Sequence, residues 1–139
     1  MQDFKKLIVW QEAKDMSIRI YRITQNDPFF EEEKYGLVQQ IRRATTSICL
    51  NIAEGAGSIS QMKFVYFLYN AMGSSKEVEC CLILANELGY ITKEEFHSLS
   101  NHSNKISSML TNLIDKVKNR KKQPTTYDKL QTTNYKRVR

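Results

Sequence analysis

Helix-breaking and metal-binding residues are scarce in this sequence. Its 139 residues include two prolines, five glycines, three cysteines and two histidines. Both prolines, Pro28 and Pro124, lie outside the stretches with helical periodicity, which a proline would interrupt. His97 and His102 face different sides of a helix, and no cysteine or carboxylate stands at ligand spacing around them. We therefore expect long helices and no metal site.

Long apolar runs are missing as well. No run approaches the roughly 20 residues that a membrane-spanning helix needs, and the apolar stretch at 7–10 is too short for the core of a signal peptide. The cysteines are odd in number and two of them, Cys80 and Cys81, are adjacent, which does not indicate a disulfide framework. With 41% apolar residues the chain can nevertheless bury a core. We expect a reduced, cytoplasmic protein that does not associate with membranes.

The sequence also contains no motif typical of a catalytic site. It has no glycine-rich phosphate loop, no Ser/His/Asp set with supporting context and no carboxylate dyad. The cysteines have no neighbouring base that would activate them. We therefore expect a protein that is not an enzyme and that takes no cofactor.

Apolar residues recur every three or four positions in four segments, as they do on one face of a helix. The segments are 7–24, 33–54, 60–88 and a last one that opens at the capping box Thr92–Glu95 and continues to about 118. The connections between them are short, so consecutive helices should run antiparallel. The prediction is an all-α protein, an up-down-up-down antiparallel four-helix bundle over residues 1–118.

The net charge of +6 belongs to one end of the sequence. Residues 119–139 contain one acidic residue, Asp128, and seven basic ones: Arg120, Lys121, Lys122, Lys129, Lys136, Arg137 and Arg139. The other residues therefore carry no net charge, and we expect 119–139 to be a disordered tail. Its cations can contact phosphates, and Tyr127 and Tyr135 can stack on unpaired bases, which favours binding to nucleic acid. A tail that only keeps the protein soluble is the alternative.

The third segment is apolar on nearly all sides, which one small bundle cannot bury completely. A second apolar surface should therefore meet another subunit. Leu50 on the second segment supports this, since it lies about 180° from the core residue Ile41. The residues predicted to form the oligomer interface are Leu50, Tyr66, Tyr69, Cys80 and Leu84.

Arg42 and Arg43 stand in the middle of the second segment, beside its apolar stripe. Their guanidinium groups could bind the phosphates of a nucleic acid. Alternatively they form structural ion pairs with Glu54, Glu77 or Glu79, which is the interpretation we favour.

We expect structural roles for three small or polar residues. Asn51 is expected to make an interhelical hydrogen bond, and Gly55 to end its helix with a positive φ. Gly73 interrupts the long third segment, where a glycine costs about 1 kcal/mol relative to alanine. We expect a close crossing of two helices or two subunits at Gly73.

The run Gln40–Ala44, Ser47-Ile48 and Asn51–Gly55 resembles the signature of the 23S rRNA intervening-sequence proteins. Supporting matches are Trp10, Ala13, Ile20, Tyr21, Pro28, Glu33–Leu37, Phe64, Phe67, Leu68, Ala71, Gly73, Ser74, Glu77 and Glu79. The resemblance covers roughly residues 4–118. The chain departs from the pattern at Cys49, where a proline is frequent, and at Gly57-Ser58, where an arginine is common.

The resemblance implies an up-down four-helix bundle that assembles into a homopentameric ring and has no enzymatic activity. The family is also known as a ribosomal protein family. A related branch serves as accessory protein to the reverse transcriptase of diversity-generating retroelements. Two functions follow as expectations: a non-catalytic oligomer that binds nucleic acid, with RNA the favoured ligand, or a scaffold that docks a partner enzyme such as a reverse transcriptase.

Overall fold

The computed structural model describes residues 1–120, which form five α-helices and one short 3-10 turn and contain no strand. The turn is Phe4–Lys6, and the helices are α1 (Ile8–Ile23), α2 (Phe29–Glu33), α3 (Leu37–Ala56), α4 (Gln61–Glu87) and α5 (Lys93–Lys118). The all-α prediction is confirmed. The predicted tail lies outside the described residues from position 121 onward.

The predicted helix 33–54 is wrong at its start, because two helices occupy this part of the chain. The five-residue α2 ends at Glu33, and α3 begins at Leu37. A carboxylate oxygen of Glu33 accepts a hydrogen bond from the Leu37 amide at 2.9 Å. Gly36 between them has a non-helical backbone. The side chain of Glu33 therefore caps the new helix, a contact that a search for periodicity does not register.

The ends of α4 and α5 follow their sequence signals. Gly89 has a φ of 76°, and the amide of Tyr90 reaches back to the Ala85 carbonyl at 2.9 Å, which makes a Schellman motif. Thr92 and Glu95 form the predicted capping box in both directions. Both predicted boundaries are confirmed because each depends on a local hydrogen-bonding pattern.

The four long helices surround one core, and each contacts two others in the order α1, α3, α4, α5 and back to α1. Hydrogen bonds show that the contacting pairs run antiparallel. Ser17 of α1 bonds Thr45 of α3, and Thr24, which directly follows α1, bonds Arg42. Ser75 of α4 bonds Ser107 of α5. In the described residues α1 and α4 make no contact, so these two helices lie diagonally opposite each other.

Helices α3 and α4 approach each other closely at Gly55. A methyl group at this position would stand 2.9 Å from Phe64 Cδ1 and 2.9 Å from Phe67 Cβ on α4. Gly55 is helical and its φ is not positive, so the predicted helix-ending role is wrong. Asn51 corrects a second prediction, because its amide donates to the Ser47 carbonyl one turn earlier in α3. Gly55 is needed because α4 leaves too little room for a side chain at this position, and not because of its backbone freedom.

Candidate interaction surfaces

The outward face of α4 carries an apolar stripe that the rest of the described chain leaves largely exposed. Its members are exposed and follow one another at spacings of four, three, four, seven and four positions: Met62, Tyr66, Tyr69, Gly73, Cys80 and Leu84. Tyr66 is 60% exposed and Leu84 is 47% exposed. These spacings place the side chains on one face of the helix, which also carries Lys76, and an apolar face of this kind buries against a second helix in most proteins. We call this set the α4 stripe.

Gly73 stands in the middle of the α4 stripe and has open space in front of it. Nothing lies within 4 Å of the position that its Cβ would occupy. The expected close helix crossing at Gly73 is therefore absent within the described chain, where Gly55 has that role instead. A crossing between subunits at Gly73 stays a prediction. A glycine in an exposed helix interior lowers stability, so a partner helix that needs the space would explain it.

Leu50 extends the apolar surface from α4 onto α3. It is 64% exposed and lines a cleft of about 450 Å³ together with Phe67, Arg43 and Glu54. A neighbouring cleft of about 640 Å³ shares Phe67 and Glu54 and reaches Tyr66. All five residues predicted for an oligomer interface thus lie on the surface formed by α3 and α4.

Arg42 has a structural role that differs from both predictions. Its Nε donates to Thr24 Oγ1 at 2.9 Å, and its guanidinium carbon lies 4.7 Å from the centre of the Tyr21 ring and 5.7 Å from that of Phe30. No carboxylate pairs with Arg42 in residues 1–120. The side chain fastens the end of α1 to α3 through stacking and a hydrogen bond to an uncharged hydroxyl. The expected ion pair with a glutamate is wrong for this residue.

Arg43 is exposed and faces the cleft that contains Leu50. It makes no ion pair within the described part of the chain, so the expected pairing is wrong here as well. Glu79, one of the proposed partners, pairs instead with Lys76 at 3.2 Å. Arg43 is the one of the two arginines whose guanidinium is presented to a ligand or to another subunit.

A polar cluster between α1 and α5 has no clear signal in the sequence. Arg19 Nη1 donates to His102 Nδ1 at 2.8 Å, and because arginine can only donate, the other ring nitrogen of His102 carries the proton. This Nε2 donates to Glu12 at 2.8 Å, and Lys105 donates to the other oxygen of Glu12 at 3.1 Å. Hydrogen bonds from Lys105 and then His102 lower the pKa of Glu12. The cluster crosslinks the two helices and shows no open site for a metal.

Tyr69 connects the α4 stripe to the end of α5. Lys118 Nζ donates to the Tyr69 hydroxyl at 2.9 Å and lies 5.4 Å from the ring centre. The hydrogen bond to Tyr69 raises the pKa of Lys118. Arg120 is exposed at the end of the described chain. The other six predicted nucleic-acid contacts lie outside the described residues: Lys121, Lys122, Lys129, Lys136, Arg137 and Arg139.

Two absences concern the described residues alone. Within positions 1–120, no three histidine, cysteine or acidic side chains stand close enough together to hold a metal ion. Of the helices described, none combines the length and the apolar character needed to cross a membrane. Burial raises the pKa of the Cys49 and Cys81 thiols, which disfavours the reactive thiolate.

These features define a class: an all-α protein with four long helices around one core and an exposed apolar stripe on one of them. A model of the 23S rRNA-intervening sequence proteins matches residues 5–112. The chain therefore belongs to the 23S rRNA-intervening sequence protein family. The prediction made from Gln40–Ala44 and Asn51–Gly55 is confirmed.

A solved structure agrees with the family. It is the crystal structure of a protein of unknown function from the S23 ribosomal protein family of Bacteroides thetaiotaomicron. The two chains are 30% identical, and the match covers 77% of this chain and 98% of that chain with a TM-score of 0.70. A comparison with curated proteins finds no match.

Proposed function

We propose that this protein is a non-catalytic, homo-oligomeric accessory protein that binds nucleic acid, with RNA as its ligand. In this proposal each chain is an up-down-up-down four-helix bundle, and five bundles form a ring. The observation that carries the proposal is the exposed α4 stripe in a member of this family. The seven basic residues of 119–139 supply the affinity for phosphates.

Oligomerisation is supported by the amount and the pattern of exposed apolar surface on α4. Monomeric proteins rarely leave a long apolar stripe in water. The arrangement of these residues on one helix face suits a helix from a second subunit, and Gly73 leaves room for that helix to approach closely. Leu50 and the cleft beside it widen the surface beyond one helix, as an interface of standard size requires.

Light scattering at micromolar concentration tests the assembly. We expect a mass of about five times the 16.2 kDa of one chain. Tyr69→Glu and Leu84→Glu should reduce this mass while the helical circular dichroism is kept, because both side chains are exposed in the single chain. Tyr35→Glu is the matched control, since Tyr35 is 85% exposed on the α2–α3 connection. A monomer mass for the unaltered protein would refute the ring.

Binding to single-stranded RNA tests the ligand. If the tail of each chain makes about six phosphate contacts, the logarithm of the affinity should fall with the logarithm of the salt concentration with a slope of about −4. A chain that ends at Lys118 keeps every described helix and should lose most of this slope. Equal affinity of the two proteins would remove 119–139 from the proposal.

A second candidate function is a scaffold that docks a partner enzyme such as a reverse transcriptase. It is favoured by Ile8 and Ile18, which are 64% and 42% exposed on α1, diagonally opposite the α4 stripe. An oligomer held together through α4 alone would leave them available to another protein. A complex with a co-expressed reverse transcriptase that survives nuclease treatment, and that Ile18→Glu abolishes, would support the scaffold. Loss of the complex on nuclease treatment would favour RNA as the link.

A further inference from the structure

The charges of the helical body are separated between its two ends. One end consists of residues 1–8, 53–64 and 114–120, and the other of residues 20–40 and 84–96. The first end has six exposed basic residues (Lys5, Lys6, Lys63, Lys116, Lys118, Arg120) against three acidic ones (Asp3, Glu54, Asp115). The second has three basic residues (Arg22, Lys34, Lys93) against seven acidic ones (Asp27, Glu31, Glu32, Glu33, Glu87, Glu94, Glu95). We call them the basic end and the acidic end.

Hydrogen bonds fasten the three segments of the basic end into one surface. The Gln2 amide donates to the Ala56 carbonyl at 2.8 Å and so holds the N-terminal segment against the end of α3. The Gln61 side chain donates to the Val117 carbonyl and ties the start of α4 to the end of α5. The cations of the basic end are therefore carried on a fixed backbone.

Two lysines of the basic end line the same cleft. Lys6, just before α1, and Lys116 on α5 belong to the lining of this cleft of about 420 Å³, which also includes Leu7 and Met109. The Arg120 guanidinium lies beside the cleft's N-terminal segment, where the oxygen of the Gln2 side chain accepts from it at 2.8 Å in the amide orientation that satisfies both groups. Of the acidic residues at this end, Asp3 is already engaged, since it accepts from the Lys5 amide at 3.1 Å.

We propose that the basic end is a docking surface for the sugar–phosphate backbone of single-stranded RNA, with Lys5, Lys6 and Lys116 in contact with phosphates. The inference rests on the proposed function, because it requires that the chain binds RNA. Charge complementarity favours this ligand: a phosphate backbone is a continuous row of negative charges, and the basic end is followed in the chain by six further cations in 121–139. A strand held by that segment meets the basic end first, whereas the acidic end repels it.

Charge-neutralising variants of the full chain test the surface. The variant K5Q/K6Q/K116Q removes three positive charges from the basic end, and R22Q/K34Q/K93Q removes three from exposed residues of the acidic end. Binding of a fluorescently labelled single-stranded oligouridylate is measured by anisotropy over a range of salt concentrations. Each lost phosphate contact reduces the salt slope by about 0.7 and the affinity about fourfold at ~0.15 M salt. The first variant should therefore lose about 2 units of slope and on the order of 50-fold in affinity, and the control should lose much less.

The outcomes separate this inference from the proposed function. If the unaltered protein binds RNA and K5Q/K6Q/K116Q binds as tightly, the docking surface is refuted and the proposed function stands. Equal losses in both variants would also refute it, because net charge alone would then explain the effect. A drop in particle mass without loss of RNA binding would refute the RNA surface and indicate that the basic end contacts the acidic end of another copy. No RNA binding by the unaltered protein overturns both proposals.

Discussion

Replacing Gly55 by alanine should destabilise the protein, although alanine is the better helix former. The added methyl group would lie 2.9 Å from Phe67 Cβ and 3.3 Å from the Phe64 carbonyl oxygen. Both atoms are on or next to the α4 backbone, so the helices must separate by a few tenths of an ångström. Such overpacking costs about 1–3 kcal/mol, and the gain in helix propensity returns about 1 kcal/mol. We expect a net loss of about 1 kcal/mol in the free energy of unfolding.

Gly57→Ala is the matched control for this substitution. Gly57 is exposed at the end of the same helix and has a φ of −76°, and a methyl group there would lie 3.5 Å from the Ala53 carbonyl oxygen, which is ordinary van der Waals contact. Its replacement should change the free energy of unfolding by less than about 0.5 kcal/mol. Urea unfolding of the three proteins at one chain concentration measures both changes. A Gly55→Ala protein as stable as the unaltered one would refute the close α3–α4 approach.

Three further predictions concern individual side chains. Arg42→Lys should lower the free energy of unfolding by about 1–2 kcal/mol in urea, because an ammonium cannot both stack on Tyr21 and bond Thr24 as the guanidinium does. The lowered pKa of Glu12 makes a contribution to stability that is present above the unfolded pKa near 4.5 and is lost as the pH falls through the lower folded value. Glu12→Gln should remove this part of the acid dependence of thermal unfolding, and an unchanged profile would contradict the Lys105 and His102 contacts. Burial and the Glu32 carboxylate raise the pKa of Tyr90 to about 12. Stability should therefore fall as the pH rises above 10.0, the pKa of Tyr90 in the unfolded chain. An ultraviolet titration of Tyr90→Phe should lack the tyrosine that titrates last.

Some features of the fold could be predicted because local signals decide them. The Thr92–Glu95 capping box and the end of α4 before Gly89 depend on residues within one or two turns. The short α2 and the break after it were missed, because five residues are too few to show an apolar period and the hydrogen bond from the Leu37 amide to the Glu33 carboxylate leaves no pattern in the sequence. Within the chain the close approach of two helices lies at Gly55, which was expected to end its helix, and not at Gly73, since the crossing point of two helices depends on their relative position along the axis.

The candidate surfaces could be predicted only in part from the sequence. The exposed apolar face of α4 was predicted from an excess of apolar residues around one helix, and the interface itself stays a prediction. The partners of Arg42 were missed, because charge pairing suggests a glutamate whereas the ends of α1 and α2 place two aromatic rings around its guanidinium. The cluster of Glu12 and His102 joins residues 90 positions apart, and no local pattern marks such a contact.

The sequence by itself determined the helical class, most helix ends, the family and the concentration of net charge in 119–139. These follow from the periodicity and short-range chemistry of the chain, and from motifs read in order. Only the tertiary structure decided that the neutral body has a basic and an acidic end. The antiparallel helices bring charged residues that are far apart in the sequence to the same end of the body. It likewise decided that α4 occupies the space in front of Gly55, whereas the space in front of Gly73 is empty. Scarce helix breakers gave the chain long helices, and their packing determined which surfaces those helices leave exposed.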